Sequence, residues 1–589
     1  MQRRPVPLDR IWNDVNAHQL SRRDVLRKAM YLGISVPIIT TLLSACDADD
    51  DDPVDDEDAE AAEPETDDEP DEEDDSVADD DDRNLSDDRE FGIAFTGGIP
   101  DQDPQSAYDN QASSLFLATY EMLIRLDGDS TFEYQPMLAQ EWEANDELTE
   151  FTFVIPDNAM FHDGTVCDAD AVKQSFVRFH QMGRGPVSVI TRFIDDPEEE
   201  IEVVDDVTVR FHTQNPEPLF LPAIASAYGP FVVSPTAMEE NATDDDPWAH
   251  EFFSQNMVGT GPYMVTEAEP QERFILDRFD DYHGDAPFFD RITARVVPED
   301  PTRRSLLESG EINGVAVLPA DDLDALEDDP NVQVVDYDST QTNWIRINHA
   351  LIEDPNAKLG FAYAFPYESV NNDVYLGRAY QQGPVADNLV GFDPSIELHE
   401  TDLDRAQELL EEAGYGEGDT FTLMYAGGDA PAAATVELFQ ANLAQIGITL
   451  ELEQVDRSAI IELNYSDTPP EDRPHFNLGG WWPDYNDSWN QLYPNFHSES
   501  AGSAGSNSMF YDNADFDAYL DQMRDAETEE ELVEATGNAV QVLMWDDPGG
   551  IFYQQIVRST CLSGNIRGFV GNGIYIAAYN FHEMWREAD

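Results

Sequence analysis

The alternation of apolar and polar positions is clearest between residues 401 and 455. Phe421, Leu423 and Tyr425 recur at the two-residue period of a half-buried strand. From 431 to 446 the spacing of Val436, Phe439, Leu443 and Ile446 is helical. Beyond Gly447, Ile448, Leu450 and Leu452 alternate again. A strand, a helix and a strand in this order predict a parallel pair with a right-handed crossover. Upstream, residues 402–413 read as a helix. Its apolar face is Ala406, Leu409, Leu410 and Ala413, with Thr401 as the N-cap and Gly414 as the stop. Residues 149–155 and 207–211 alternate as antiparallel strands would. The mixture predicts an α/β fold with an added antiparallel portion.

The first 46 residues follow another pattern. Arg22 and Arg23 open a charged segment ending at Lys28, and an apolar run fills 29–45. A charged segment, a modest apolar run and small residues make an export signal, and two adjacent arginines resemble the twin-arginine type. Leu43-Ser44-Ala45-Cys46 resembles a lipobox, in which the chain is cut before the cysteine and the thiol takes a lipid. The alternative is a short N-terminal transmembrane anchor. No other segment approaches 18 uninterrupted apolar residues, so the rest is not expected to span a membrane.

Composition then separates tether from body. Residues 47–82 hold 24 acids and no base, so 47–88 read as an extended, self-repelling tether. Residues 83–589 still carry a net charge of -72, yet apolar residues are 41% of the chain, enough for a large core. Such a charge excludes nucleic acid as the partner and opposes docking on anionic lipid. Only three lysines occur (Lys28, Lys173, Lys358); Lys depletion with excess Asp resembles proteins of salt-in halophiles, as in a halophilic archaeon. Cys167 and Cys561 are either paired or both free, and no zinc spacing exists.

Six segments carry a family resemblance. Residues 136–142 (PMLAQEW) resemble P-x-L-A-x-x-W. Residues 161–165 (FHDGT) with 168–172 (DADAV) resemble F-x-D-G-x-P-x-x-A-x-D-V, with Val166 in place of proline. Residues 259–263 read GTGPY, 307–312 read LESGEI, and 404–415 end in the leucine pair and A-G-Y of a further motif. Gly480-Trp481-Trp482-Pro483-Asp484-Tyr485 resembles a W-x-x-D-Y loop, with Ser488 where proline is usual. In this order they resemble the extracytoplasmic solute-binding proteins of ABC importers, in the peptide/nickel class. One departure is Lys358-Leu359-Gly360-Phe361, which stands where V-R-x-A is usual.

The resemblance implies a bilobal periplasmic-binding-protein-like α/β fold with a hinge between lobes. Lobe 1 would be 89–341 with an antiparallel subdomain inserted at about 136–215. Lobe 2 would be 342–545, and 546–589 would return to lobe 1. It implies that Asp484 pairs with the ammonium of a peptide, walled by Trp481, Trp482 and Tyr485. The other readings are that the tryptophans are core and that Asp484 caps a helix. Tyr108, with Asn110 nearby, and Tyr228 are candidates for the facing wall, since tyrosine offers a flat apolar body and a hydroxyl. The leading function is a lipid-anchored, monomeric receptor that hands a di- or oligopeptide to ABC permease and ATPase subunits, without cofactor or metal. An oligosaccharide, a nickel chelate or another small solute is the alternative cargo. A surface sensor would share this sequence. A secreted hydrolase is disfavoured, because no G-x-S-x-G or H-E-x-x-H motif is present.

Overall fold

The computed structural model describes residues 84–588 apart from 527, 576 and 577. Arg22, Arg23, Cys46 and most of the 47–88 tether lie outside the described residues. The frame is one large mixed sheet. Its strands in chain order are β1 (Glu90–Phe95), β2 (Tyr263–Glu269), β3 (Arg273–Arg278), β4 (Arg291–Val296), β5 (Gly314–Val315), β6 (Val332–Ile347), β7 (Ala379–Tyr380), β8 (Thr420–Ala426), β9 (Thr449–Val455), β10 (Phe476–Trp481) and β11 (Gly550–Ser563). The spatial order is β9-β8-β10-β6-β11-β5-β1-β4-β3-β2, with β7 also on β11. The fold is bilobal α/β, with β9, β8 and β10 at one end and β5, β1, β4, β3 and β2 at the other.

β6 and β11 run through the middle of this order. They pair antiparallel from Val332↔Ser563 to Asp338↔Val557, and again from Thr342↔Gln555 to Arg346↔Gly550. Between these stretches the ladder is broken. On one side of the break β11 also pairs with β5, and on the other β6 also pairs with β10. Trp545 lies in the π-helical segment Val542–Asp546 before β11; its indole donates to Glu397 O at 3.1 Å and its ring packs against the core that contains Trp344, Phe496 and Leu543.

The strand–helix–strand unit forms as the periodicity predicts. β8 and β9 are parallel, from Thr420↔Thr449 to Ala426↔Val455, and Ala430–Gln445 is the helix between them. Asp429 caps that helix by accepting from the Ala432 amide, and Pro431 sits in its first turn, where no amide is needed. The helix read at 402–413 spans Leu403–Glu412, and its N-cap is Asp402, not Thr401. The Asp402 carboxylate accepts from the Arg405 amide at 2.9 Å. Thr401 is committed backwards: its hydroxyl donates to Phe365 O at 2.6 Å.

Gly360 lies where the helix Pro355–Ala364 crosses Leu403–Glu412. A Cβ there would meet Leu410 Cγ at 2.8 Å, so the close approach requires glycine. The same helix turns Lys358 inward, where it donates to Asp547 Oδ1 at 2.7 Å.

The strands read at 149–155 and 207–211 are Glu150–Val154 and Thr208–His212, paired antiparallel. With Glu141–Ala144 and Ile201–Asp205 outside them they form a separate four-stranded sheet. Phe151, Phe153, Val209 and Phe211 pack under it against Phe176 and Phe179 of the helix Ala169–Met182. Cys167 belongs to this core and Cys561 to another, and both are free and buried. The pairing alternative for these two cysteines is therefore corrected.

Candidate functional site

β10 ends at Trp481, and Pro483 turns the chain into the loop 482–487. The following helix, Ser488–Phe496, is capped by Asp487, which accepts from the Asn490 amide at 3.0 Å. Asp484 is thus released from the capping role that the sequence left open to it. Its own amide donates to Asn490 Oδ1 at 2.7 Å, which fixes the loop's path. The Asp484 side chain is buried, with 4% of the residue exposed, and it accepts from the Tyr108 hydroxyl. Among the described residues no cation lies within ion-pair distance of it. Burial raises its pKa to about 6, and the Tyr108 bond offsets only part of that.

The facing wall comes from the other end of the sheet. Tyr108 precedes the helix Asn110–Thr119, capped by Asp109. The segment leading to it is held by Asp103, which accepts from Arg178 Nη1 at 3.1 Å and Nη2 at 2.5 Å. Tyr228 is buried, and its ring meets that of Tyr108 edge-on at 5.0 Å. The adjacent Gly229 has φ +106°, and a Cβ there would meet Phe179 Cζ at 2.0 Å. Only glycine lets the backbone close over Phe179 and deliver Tyr228 to this position.

Two adjacent side chains seldom enter one cleft, yet both tryptophans reach the tyrosine pair. The Trp481 ring lies 6.3 Å from Tyr108, and Trp482 Nε1 donates to the Tyr228 hydroxyl at 3.0 Å. The turn at Pro483 breaks the strand's alternation and makes this geometry available. Tyr485 goes elsewhere. It is buried in the apolar core beneath the four-stranded sheet, 6.3 Å from the Phe193 ring. The structure therefore brings Asp484, Trp481, Trp482, Tyr108 and Tyr228 together and directs Tyr485 away from them.

Three further residues join this neighbourhood without having been singled out in the sequence. Arg346 of β6 is paired across the ladder with Asn477 of β10. It is 6% exposed and bonds Asn495 Oδ1 at 2.5 Å and Ser508 Oγ at 3.4 Å. Arg558 of β11 donates to Gln341 and lies within electrostatic reach of Tyr228. Tyr465, half exposed, hydrogen-bonds Ser506 Oγ at 2.8 Å and lies within electrostatic reach of both Tyr108 and Arg346. The sequence did hold one signal: Arg346 is a charge inside the apolar run Trp344-Ile345-Arg346-Ile347.

Aromatic rings around a desolvated carboxylate offer a solute flat apolar contact and one charge-assisted hydrogen bond. Comparison with known proteins agrees. Residues 133–503 match the model of "Bacterial extracellular solute-binding proteins, family 5 Middle". The probable D,D-dipeptide-binding periplasmic protein DdpA of Escherichia coli K12 is 26% identical over 490 residues, 82% of this chain and 91% of that protein. The glutathione-binding protein GsiB of Salmonella paratyphi A is 25% identical over 435 residues, 73% of this chain and 81% of that protein. Among solved structures, the dipeptide-binding protein of Pseudoalteromonas sp. SM9913 in complex with Met-Leu superposes with a TM-score of 0.75 at 20% identity, over 84% of this chain and 100% of that one. The Helicobacter pylori DppA in complex with the peptide STSA gives 0.73 at 22% identity, over 85% and 98%. Fold, cleft and family match agree, and the chain belongs to the extracellular solute-binding proteins of family 5.

Proposed function

We propose that this protein is a receptor that captures a peptide with a free amino terminus outside the cell and delivers it to the permease and ATPase subunits of an ABC importer. The observation that carries the reading is Asp484, a buried carboxylate beside an aromatic wall with no cation partner among the described residues. A ligand ammonium supplies the missing charge, in a charge-assisted hydrogen bond worth about 1.5–3 kcal/mol. The relatives support the cargo class, one being a probable D,D-dipeptide-binding protein and the other a glutathione-binding protein. In this reading lobe 1 is 89–341 with its subdomain at about 136–215, lobe 2 is 342–545, and 546–589 return to lobe 1. The lobes close on the peptide about the strands that join them. The protein acts as a monomer in a salt-rich medium.

Asp484→Asn keeps size and an acceptor oxygen but removes the charge. It is expected to weaken binding of a free-amine peptide by roughly 10- to 150-fold. The variant and wild type should bind the N-acetylated peptide equally poorly, which closes a double-mutant cycle on this one contact. The pH profile gives a second signature. The folded-state pKa of Asp484 is raised to about 6, and the ammonium needs the carboxylate. Affinity should therefore be full above pH 6 and fall about tenfold per unit below it, in wild type but not in Asp484→Asn. Titration calorimetry showing equal wild-type affinity for free and acetylated peptides overturns the amine-recognition reading and favours another small solute.

We further propose that Arg22 and Arg23 direct twin-arginine export and that lipid on Cys46 anchors the mature chain to the outer face of the membrane. Cys46→Ser should then move the protein from the membrane fraction into the medium, because an acidic tether has no membrane affinity of its own. Retention of that variant in membranes would replace the lipid by a transmembrane anchor.

A further inference from the structure

Residues 83–589 hold 96 acids and 24 bases, so a guanidinium in the body finds carboxylates readily. Arg378 pairs with three, Asp324, Glu327 and Asp336. Arg346 and Arg558 pair with none among the described residues. Among the described residues Arg346 hydrogen-bonds only a side-chain amide and a hydroxyl and lies 5.6 Å from the Trp344 ring centroid, and Arg558 donates only to the Gln341 amide oxygen, so neither has an anionic partner. In both, the buried Nε–H has no partner at all. An uncompensated buried charge is costly to fold around, so a charge left in this state is poised for an external partner.

Both lie beside the cleft. Arg346 shares a sheet face with Asn477, Gly479 and Trp481 of β10, because directly paired residues point to the same side. A Cβ built on Gly479 would meet only one atom within 4 Å, Arg346 Nη1 at 3.9 Å. The space above this partly exposed glycine is therefore open and bounded by the guanidinium. Asn477 Oδ1, buried on the same face, also has no partner. Arg558 faces Tyr337 across the ladder at the break between the lobes, within electrostatic reach of Tyr228, Tyr375 and Arg457.

Resting on the reading of the cleft as an amino-terminal peptide site, we infer that the preferred cargo is an acidic peptide, a carboxylate of which pairs with Arg346 or with Arg558 while its ammonium pairs with Asp484. The net charge of the body does not forbid this. At about 1 M salt the Debye length is about 3 Å, so the distant surface acids are screened and the local guanidinium groups decide. Burial pulls both arginines below their usual pKa, Arg346 to about 10, which leaves Arg346 charged at neutral pH.

The test uses Ala-Glu-Ala and Ala-Ala-Glu, their Gln counterparts, and the C-terminal amides of all four, titrated into the full body at high salt. Wild type is expected to bind at least one Glu peptide roughly tenfold or more tighter than its Gln counterpart. That preference should disappear in Arg346→Gln or Arg558→Gln and persist in part in Arg346→Lys. The amides report whether the α-carboxylate or the side-chain carboxylate meets a given arginine. Free Arg346→Gln should melt no lower than wild type, since it loses an uncompensated buried charge. A lower melting temperature with an unchanged Glu-to-Gln ratio marks Arg346 as a packing residue and overturns its role. If Arg346→Gln fails to fold, the wild-type ratio and the Lys variant decide. Equal wild-type affinity for Glu and Gln peptides sinks the inference, while the peptide-receptor reading stands as long as acetylation still abolishes binding. Failure of every free-amine peptide to bind sinks both.

Discussion

Arg178→Met is expected to destabilise the folded body by about 3–5 kcal/mol, a large share of the 5–15 kcal/mol typical of a native domain. Arg178 and Asp103 form an ion pair with no exposed side-chain surface on either partner. The guanidinium also donates to Trp248 O at 2.9 Å and Gln105 Oε1 at 2.7 Å, and it lies 4.6 Å from the Phe253 ring centroid. Burial alone would raise the pKa of Asp103, yet bonds from His250 and Arg178 hold it below the ordinary carboxylate value. Removing the arginine leaves that carboxylate desolvated with only His250 and the Gln105 amide. The double replacement Arg178→Met with Asp103→Leu should recover much of the loss, because the pair as a whole contributes little beyond a good apolar fit. Urea unfolding at constant high salt measures both. The local effect is as informative as the global one. Asp103 begins the segment that carries Tyr108, so peptide affinity should fall in the single variant even where it remains folded. A single variant within about 1 kcal/mol of wild type would show that water reaches the Asp103 carboxylate.

At about 0.01 M ionic strength the body is expected to unfold at room temperature, and added KCl should restore it. The described surface carries runs of acids without intervening bases, among them Glu198, Glu199 and Glu200 and the Asp321–Asp322 pair of the helix Ala320–Glu327. With a net charge of -72 on 83–589, repulsion acts over about 30 Å at that ionic strength and over about 3 Å at 1 M. The buried core is chemically ordinary, so most of the salt dependence has to come from the surface. The melting temperature should climb steeply up to about 1 M and then level as screening saturates. A melting temperature that stays flat across this range would remove carboxylate repulsion as the limiting factor. A further rise well above 1 M would point to specific hydration of the acids instead.

The sequence carries its own fold where one period dominates. The unit at 420–455 is legible because its strands and helix bury single faces, and 149–155 with 207–211 are legible for the same reason. The cap at 402 was missed by one residue because Thr401 and Asp402 are both good caps, and only the tertiary bond of Thr401 to Phe365 decides between them. Asp484 stood out through the resemblance of 480–485 to the W-x-x-D-Y loop. Tyr485, in the same motif, was placed in the site because sequence order cannot show which side chain of a turning loop enters a neighbouring core. Arg346 and Arg558 were passed over for a related reason. Each is one arginine in a strand, and what sets it apart is the absence of a carboxylate around it among the described residues, which depends on segments far along the chain, such as Asn495 and Ser508, 149 and 162 residues from Arg346.

The break in the ladder between β6 and β11 bears on how the molecule deforms. At Ser339–Gln341 the two central strands exchange side-chain bonds in place of backbone ones. The Ser339 hydroxyl donates to Ile556 O at 2.7 Å, and Gln555 Nε2 donates to Ser339 O at 2.8 Å. Thr340 reaches away to Gly573 O with both its amide and its hydroxyl. Paired strands resist bending because their amides are locked in register, whereas side-chain bonds re-form after a rotamer change. The β6–β11 seam is therefore more compliant at this point than the ladder on either side, although β7 keeps Ile556 and Gln555 of β11 in backbone register on their other edge. Relative motion of the two ends of the sheet would draw on torsions at Ser339–Gln341 and leave the strand pairing on either side intact.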